Sequence, residues 1–362
     1  MTAPMRPIVS AAIVAMAIIG SSALAAPTDL GLIPAPKAVE AGEGTIPVPT
    51  LTWSYSGAAS ACSGYALEVL DKTPGVEARE APQAEALVHL TLAASAGDLV
   101  RAAEALGLPG APADRFREAF VLDCGVTDPA QITLTGGEVG LIYGAHALRQ
   151  LLAGNPAGLP RVAISDWPSL LTRAWTGVPR DPKSPGSIAL LDWFARWRLN
   201  ACYYEIYGDQ GQDTVPPEVT RLHEECARRG ITLYGQISNW RTELLLKREL
   251  CACNPEDIAH IRRYSTELLD RGCEGLIFLF DDITQQAAEH PLSCPLCKER
   301  FGSLAAAQLE LMRPMLEVGR ERGIDRLVVC PTPYYRGWQD TYNKKLNGVE
   351  YFKLWGQSPL MD

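Results

Sequence analysis

The feature that most constrains this chain is an alternation that begins after Leu170 and runs almost to the end. "TRAWTG" precedes the helical pattern "SPGSIALLDWFARWRLN", and "ACYYEIYG" precedes "PPEVTRLHEECARRG". "ITLYGQIS" precedes "NPEDIAHIRRYSTELLDRG", and "CEGLIFLFDD" precedes "SLAAAQLELMRPMLEVGRERG". "DRLVVCPTPYY" and "VEYFKLWG" follow as further strand candidates. Short, continuously apolar runs separated by helices predict a buried parallel sheet, since parallel neighbours are joined by crossover helices that cover the sheet. Helix punctuation agrees: Asn254 is placed to cap a helix with Pro255 in its first turn, and Gly230 to stop the helix before it.

Such a sheet can stay open or close into a barrel. No Gly-rich phosphate loop follows the first strand, which weighs against the nucleotide-binding open form. Polar and aromatic residues instead gather at the C-terminal ends of the strands: Trp175, Glu205, Asp209, Trp240, Asp281, Asp282, Tyr334 and Trp355. A (β/α)8 barrel builds its active site there. The predicted fold class is therefore α/β, a (β/α)8-type barrel over residues 166–362 that is truncated to about six strand units.

Residues 26–165 have another rhythm. The strand-like runs "LVHLTLAA", "EAFVLDC" and "QITLTG" are followed by the helix-like "GLIYGAHALRQLLAG", which predicts a small α+β domain. "GLPRVAISDWPSL" reads as a connector out of it. Residues 1–25 have the plan of a cleavable signal peptide: Arg6, an apolar run, and an Ala-x-Ala site ending at Ala25. The expected localisation is secreted or periplasmic, with no membrane span after cleavage. A net charge of −9 without a basic block excludes nucleic acid as an expected partner.

The ten cysteines are many for an exported chain. Cys251 and Cys253 form a C-x-C, and Cys294 and Cys297 a C-x-x-C, suiting either a four-thiolate zinc site or one or two disulfides. The wide separation and the expected export tip the balance slightly to disulfides; either role is structural. Cys124, Cys202, Cys273 and Cys330 lie in apolar runs and read as packed thiols. The five histidines show no ligand spacing, so neither a catalytic metal nor another cofactor is expected. Trp193 and Trp197, one helical turn apart, read as core contacts.

The strand "GLIFLF" runs straight into Asp281 and Asp282. Two carboxylates held close in a partly dry pocket cannot easily both ionise, so one becomes a proton donor beside an anion. That is the equipment of glycosidic bond cleavage. Taken from the dipeptide alone, a solvated cap on the following turn is an equal alternative.

"GLIFLFDDI" followed by "VVCPTPYY" resembles the catalytic domain of glycoside hydrolase family 84, whose strands end in F-D-D-I and P-T-x-Y. "GLIPAPKAVE", "EAFVLDC", "GLIYGAHALRQLLA" and "ISDWPSL" resemble the small domain preceding the barrel in families 84 and 20. The resemblance implies an exported, retaining β-N-acetylglucosaminidase whose nucleophile is the 2-acetamido group of the sugar, acting through an oxazoline. It implies that Asp281 orients the acetamide and that Asp282 is the acid and base. Tyr334 would line the acetamide pocket, and "FKLWG" would bring Trp355 near it. The partner implied is a glycan or glycoconjugate bearing N-acetylhexosamine.

The chain departs from that family in its first barrel strand, "RAWTGVPRD" in place of E-G-F-Y-G. It departs again in its second, "YYEIYGDQ", which lacks the lysine of A-P-K-D-D and leaves Glu205 or Asp209 to bind sugar. Two alternatives follow: a catalytically inactive carbohydrate-binding or scaffold homologue, and a glycosidase for a sugar without an acetamide. Family 20 uses a G-D-E triplet, which the chain lacks.

Overall fold

The structure, a computed structural model, describes residues 30–155, 158–175, 184–204, 214–238, 250–280, 294–331 and 353. Its first unit comprises β1 (Ala38–Ile46), β2 (Thr50–Ser56), α1 (Ala61–Asp71), β3 (Glu77–Glu80), β4 (Val88–Leu92), α2 (Ala96–Glu104), β5 (Phe120–Cys124), β6 (Ile132–Gly136), α3 (Gly140–Gly154) and β7 (Leu159–Asp166). These strands form a seven-stranded sheet in the order β1-β7-β5-β6-β4-β2-β3. The side from β1 to β6 is antiparallel and the side from β6 to β3 parallel.

The "connector" reading of 158–170 is corrected here. Leu159–Asp166 is an interior strand, paired with β1 and β5. Its Gly and Pro flanks looked like a loop, but flanking β-partners far away in sequence supply the hydrogen bonds that hold it extended.

Helices α1 and α3 pack on one face of this sheet, while α2 covers the other through Leu99 and Ala103. Reciprocal Ser boxes start two of them: Ser60 with Ser63 for α1, and Ser95 with Asp98 for α2. Nearly every residue of α3 is buried, because it lies between the sheet and the second unit. Gly144 makes that approach possible: a Cβ there would sit 2.2 Å from Leu134.

The second unit runs β8 (Ala174–Trp175), α4 (Pro185–Arg196), β9 (Ala201–Tyr204), α5 (Glu218–Ala227), β10 (Thr232–Ser238), α6 (Pro255–Asp270), β11 (Gly275–Leu279), α7 (Pro295–Phe301), α8 (Leu304–Glu321) and β12 (Leu327–Cys330). Among the described residues its five strands are parallel in the order β12-β11-β10-β9-β8, a curled half of a barrel. Of the expected first strand, Ala174–Trp175 is extended, and the residues that follow it lie outside the described ones. Of the expected sixth, "VEYFKLWG", only Lys353 is described, and it is helical. The Asn254 cap forms as read, accepting from the Glu256 N–H at 3.0 Å, with Pro255 in the first turn.

The two units are joined through arginines that sequence patterning did not single out. Arg173 binds Glu118 at 2.5 Å and donates to the Tyr143 hydroxyl at 3.1 Å, while Asn200 donates to the other Glu118 oxygen at 2.7 Å. Arg198 takes the left-handed conformation beyond α4, at φ 59°, where glycine is usual. Its side chain explains the exception: the guanidinium pairs with buried Asp166 and lies over Phe120 and Tyr143.

Gly230 does two jobs. Its φ of +70° ends the turn after α5, and an added Cβ would sit 2.6 Å from both methyls of Val139 in the first unit. Gly230→Ala is therefore expected to destabilise by about 2 kcal/mol or more through conformation and overlap together. A thermal melt checks this, and the companion Val139→Ala should recover part of the loss.

His146 of α3 is buried beside Tyr65, its Nε2 without a hydrogen-bond partner. Burial first, and then Arg149 and Arg196, push its pKa down to about 3. The unfolded imidazole titrates near about 6.5. As pH falls from there toward 3, the unfolded chain takes up a proton that the folded chain refuses, so stability is lost across that window. Urea melts of His146→Gln should fall less steeply with acid, by up to about 1.4 kcal/mol per pH unit. Identical slopes would show that this imidazole does not control acid sensitivity.

Candidate active site

Because β9 to β12 are parallel, their C-terminal ends open on one side. Their residues alternate between two environments. Cys202, Leu233, Ile237, Leu276 and Phe278 join the core beneath the helices. Tyr203, Tyr234, Gln236, Ile277, Leu279 and Val328 have the opposite parity, on the face turned away from that core. Register sets Gln236 beside Ile277 and Ile277 beside Val328.

Strand β11 is paired on both edges, and its exit is fixed. The Phe280 N–H donates to the Cys330 carbonyl at 2.8 Å, and the buried Phe280 ring stacks on Phe278 at 4.3 Å. Asp281 and Asp282 follow directly in sequence and lie outside the described residues, as do Glu205, Asp209, Trp240, Tyr334 and Trp355.

Trp175 is described. Half exposed, it meets the Trp193 ring edge-on at 6.0 Å, so it packs toward α4. Trp193 itself is 42% exposed, which corrects its reading as a core contact. The apolar stripe of α4 is carried instead by Leu191, Phe194 and Ala195, and spacing alone did not reveal which stripe faced inward. Trp197 extends the aromatic row, 6.1 Å from Trp193.

At the opposite, N-terminal end of the strands is a cleft of about 360 Å³ lined by residues of both units, including Arg117, Glu118, Asn200, Thr232 and Arg326. In a barrel this end serves stability rather than chemistry.

All ten cysteines are free. Cys124, Cys202 and Cys273 are buried, in keeping with packed thiols, whereas Cys330 is half-buried. The C-x-C and the C-x-x-C converge. Cys251, Cys294 and Cys297 have sulfurs all within 4.8 Å of one another, and Cys253 lies within hydrogen-bond reach of Cys297. Burial, and then the thiols of Cys253 and Cys251, push the Cys297 thiol well up; the Cys297 N–H, first among several hydrogen bonds, holds Cys294 down.

A mixed-sheet domain leading into a parallel half-barrel is a fold that solved β-N-acetylhexosaminidases also have. Residues 29–167 match the family described as glycosyl hydrolase family 20, domain 2. A β-hexosaminidase of Akkermansia muciniphila is 31% identical over a 119-residue alignment that covers 28% of this chain and 24% of that protein. The β-N-acetylhexosaminidase of Bacteroides fragilis superposes with a TM-score of 0.61 at 15% identity, covering 82% of this chain and 65% of that one. CpGH84B superposes with a TM-score of 0.55 at 18% identity, covering 88% and 52%. This chain thus spans only part of the length of each of these proteins. Barrels of both family 20 and family 84 share its fold.

Proposed function

We propose that the protein is a retaining β-N-acetylglucosaminidase-like glycoside hydrolase of the family 84 type, acting on glycans that carry N-acetylhexosamine. The feature that supports the reading is the place of Asp281 and Asp282 in the sequence, directly after Phe280. They follow the C-terminal end of β11, an interior strand of a parallel half-barrel with a hexosaminidase fold. The β-hexosaminidase relative and the family 20 match to residues 29–167 support the substrate class.

In the proposed reaction the acetamide oxygen attacks C1 as the bond to the leaving oxygen breaks. Asp282 gives that oxygen a proton, while Asp281 accepts a hydrogen bond from the acetamide N–H and stabilises the oxazolinium charge. Water then adds to C1, losing its proton to Asp282, and the acetamide is regenerated with retention. A neighbouring pair suits this route because no carboxylate has to reach the far face of the sugar. Tyr334, Trp355 and either Glu205 or Asp209 complete the proposed sugar contacts. Export follows the leader at 1–25, and a mature N-terminus at Ala26 in the extracytoplasmic fraction is its check.

The test is an assay of the full chain on the p-nitrophenyl N-acetyl-β-glucosaminide and on the plain β-glucoside. Turnover of the first alone, blocked by a thiazoline analogue, is expected. Binding of N-acetylglucosamine without turnover would make the protein a lectin-like homologue, and equal cleavage of the glucoside would remove the acetamide from the mechanism.

A further inference from the structure

The convergent cysteines are not used by the proposed chemistry. Cys251 and Cys253 lie on the segment leading into α6, and Cys294 and Cys297 at the start of α7. Three of them are partly buried against the half-barrel core, and Cys297 is buried within it. The Cys251 and Cys297 sulfurs are 3.5 Å apart. A disulfide needs about 2.0 Å. Thiolates sharing one tetrahedral zinc, each at about 2.3 Å, are spaced about 3.8 Å from one another. The Cys251, Cys294 and Cys297 sulfurs, all within 4.8 Å of one another, form a triangle close to one face of that tetrahedron, and Cys253, within hydrogen-bond reach of Cys297, is placed to supply the fourth thiolate.

Thiols are poor hydrogen-bonding groups, so four packed together gain little from one another. The surrounding backbone is nonetheless organised around them. The Cys251 N–H donates to Asp257 at 2.8 Å, the Asn254 N–H to the Cys251 carbonyl at 3.0 Å, and the Lys298 N–H to the Cys294 carbonyl at 3.0 Å. Two short segments are thereby held with the Cys251, Cys294 and Cys297 sulfurs clustered and Cys253 beside Cys297.

We propose that Cys251, Cys253, Cys294 and Cys297 bind one zinc ion in a four-thiolate structural site. The ion ties the segment entering α6 to the one entering α7. The ion carries no open coordination position and takes no part in bond cleavage. This proposal stands independently of the glycosidase reading, because its readouts are metal content and thiol state.

The full chain, purified under reducing conditions and dialysed, should contain about one zinc per chain by elemental analysis. Titration with a mercurial should release that zinc as about four thiols react. Cobalt replacement should give the sulfur-to-metal charge-transfer and visible bands of a tetrahedral thiolate centre. Cys251→Ser with Cys297→Ser should abolish binding, whereas Cys124→Ser, a control outside the cluster, should keep it. Chelation should lower Tm by about 5 °C or more. Three outcomes would overturn the assignment: the four cysteines found as disulfides in metal-free protein, stoichiometric iron in place of zinc, or zinc retained by the double variant. Because mercurial release is measured on the unmodified chain, it decides the matter even if the double variant fails to fold.

Discussion

Asp282→Asn is expected to lower turnover of an N-acetylglucosaminide with a poor, alkoxide-type leaving group by about 10²- to 10⁴-fold. The leaving oxygen then departs without a proton, and no side chain in the proposed mechanism replaces Asp282 as donor. With p-nitrophenolate, which departs readily unprotonated, the loss should shrink by about tenfold or more. Asp281→Asn should behave differently. It removes the charge facing the acetamide N–H, so its loss of about 10²- to 10³-fold should be the same for both leaving groups. The comparison of leaving groups therefore separates the two roles, which a single inactivation could not. Wild-type rates in both variants, with circular dichroism unchanged, would falsify the assignment of chemistry to this pair.

Arg229→Ala is expected to cost about 3–5 kcal/mol and to lower Tm by about 5–10 °C. The Arg229 side chain is 1% exposed, yet it is charged. Its Nε donates to Asp192 at 2.8 Å, its Nη1 reaches the Glu225 carboxylate at 2.6 Å, and its guanidinium lies 4.7 Å over the Tyr65 ring. Tyr65 in turn donates to the same Asp192 oxygen at 2.9 Å. One cation thus joins α1 of the first unit to α4 and the turn after α5 of the second. Removing it leaves Asp192 with only the Tyr65 hydroxyl and Glu225 with only the more distant Arg228, and opens a cavity at the junction. Arg229→Lys should recover only part of the loss, since an ammonium cannot reproduce the planar fork. Arg262→Ala is the control: it pairs with Glu317 and Glu321 across exposed helix faces, and its loss should leave Tm unchanged. Equal melting shifts for the two variants would contradict the argument from burial.

How much of this was legible beforehand depended on how local each signal was. The parallel half-barrel could be read because strand and helix periods alternate within one stretch of chain. The Asn254 cap and the Gly230 stop depend on their nearest turns and formed as read. Strand β7 was missed because its extended shape depends on β1 and β5, remote partners that no neighbouring residue announces. Trp193 was misplaced because a helical repeat tells which residues share a face, while only the neighbouring sheet and helices decide which face is covered. Arg198 offered one usable hint, a long charged residue just past a helix end where glycine is common, but its Asp166 partner could not be inferred from that.

By itself the sequence determined the alternation of strands and helices after Leu170, the acidic pair after β11 and the two cysteine pairs, since each is a matter of residues close along the chain. Tertiary structure alone decided that the cysteine pairs face one another and that Arg229 and Arg198 bridge the two units. Those contacts join segments far apart in sequence, and their geometry follows from how helices pack on the two sheets rather than from any local preference.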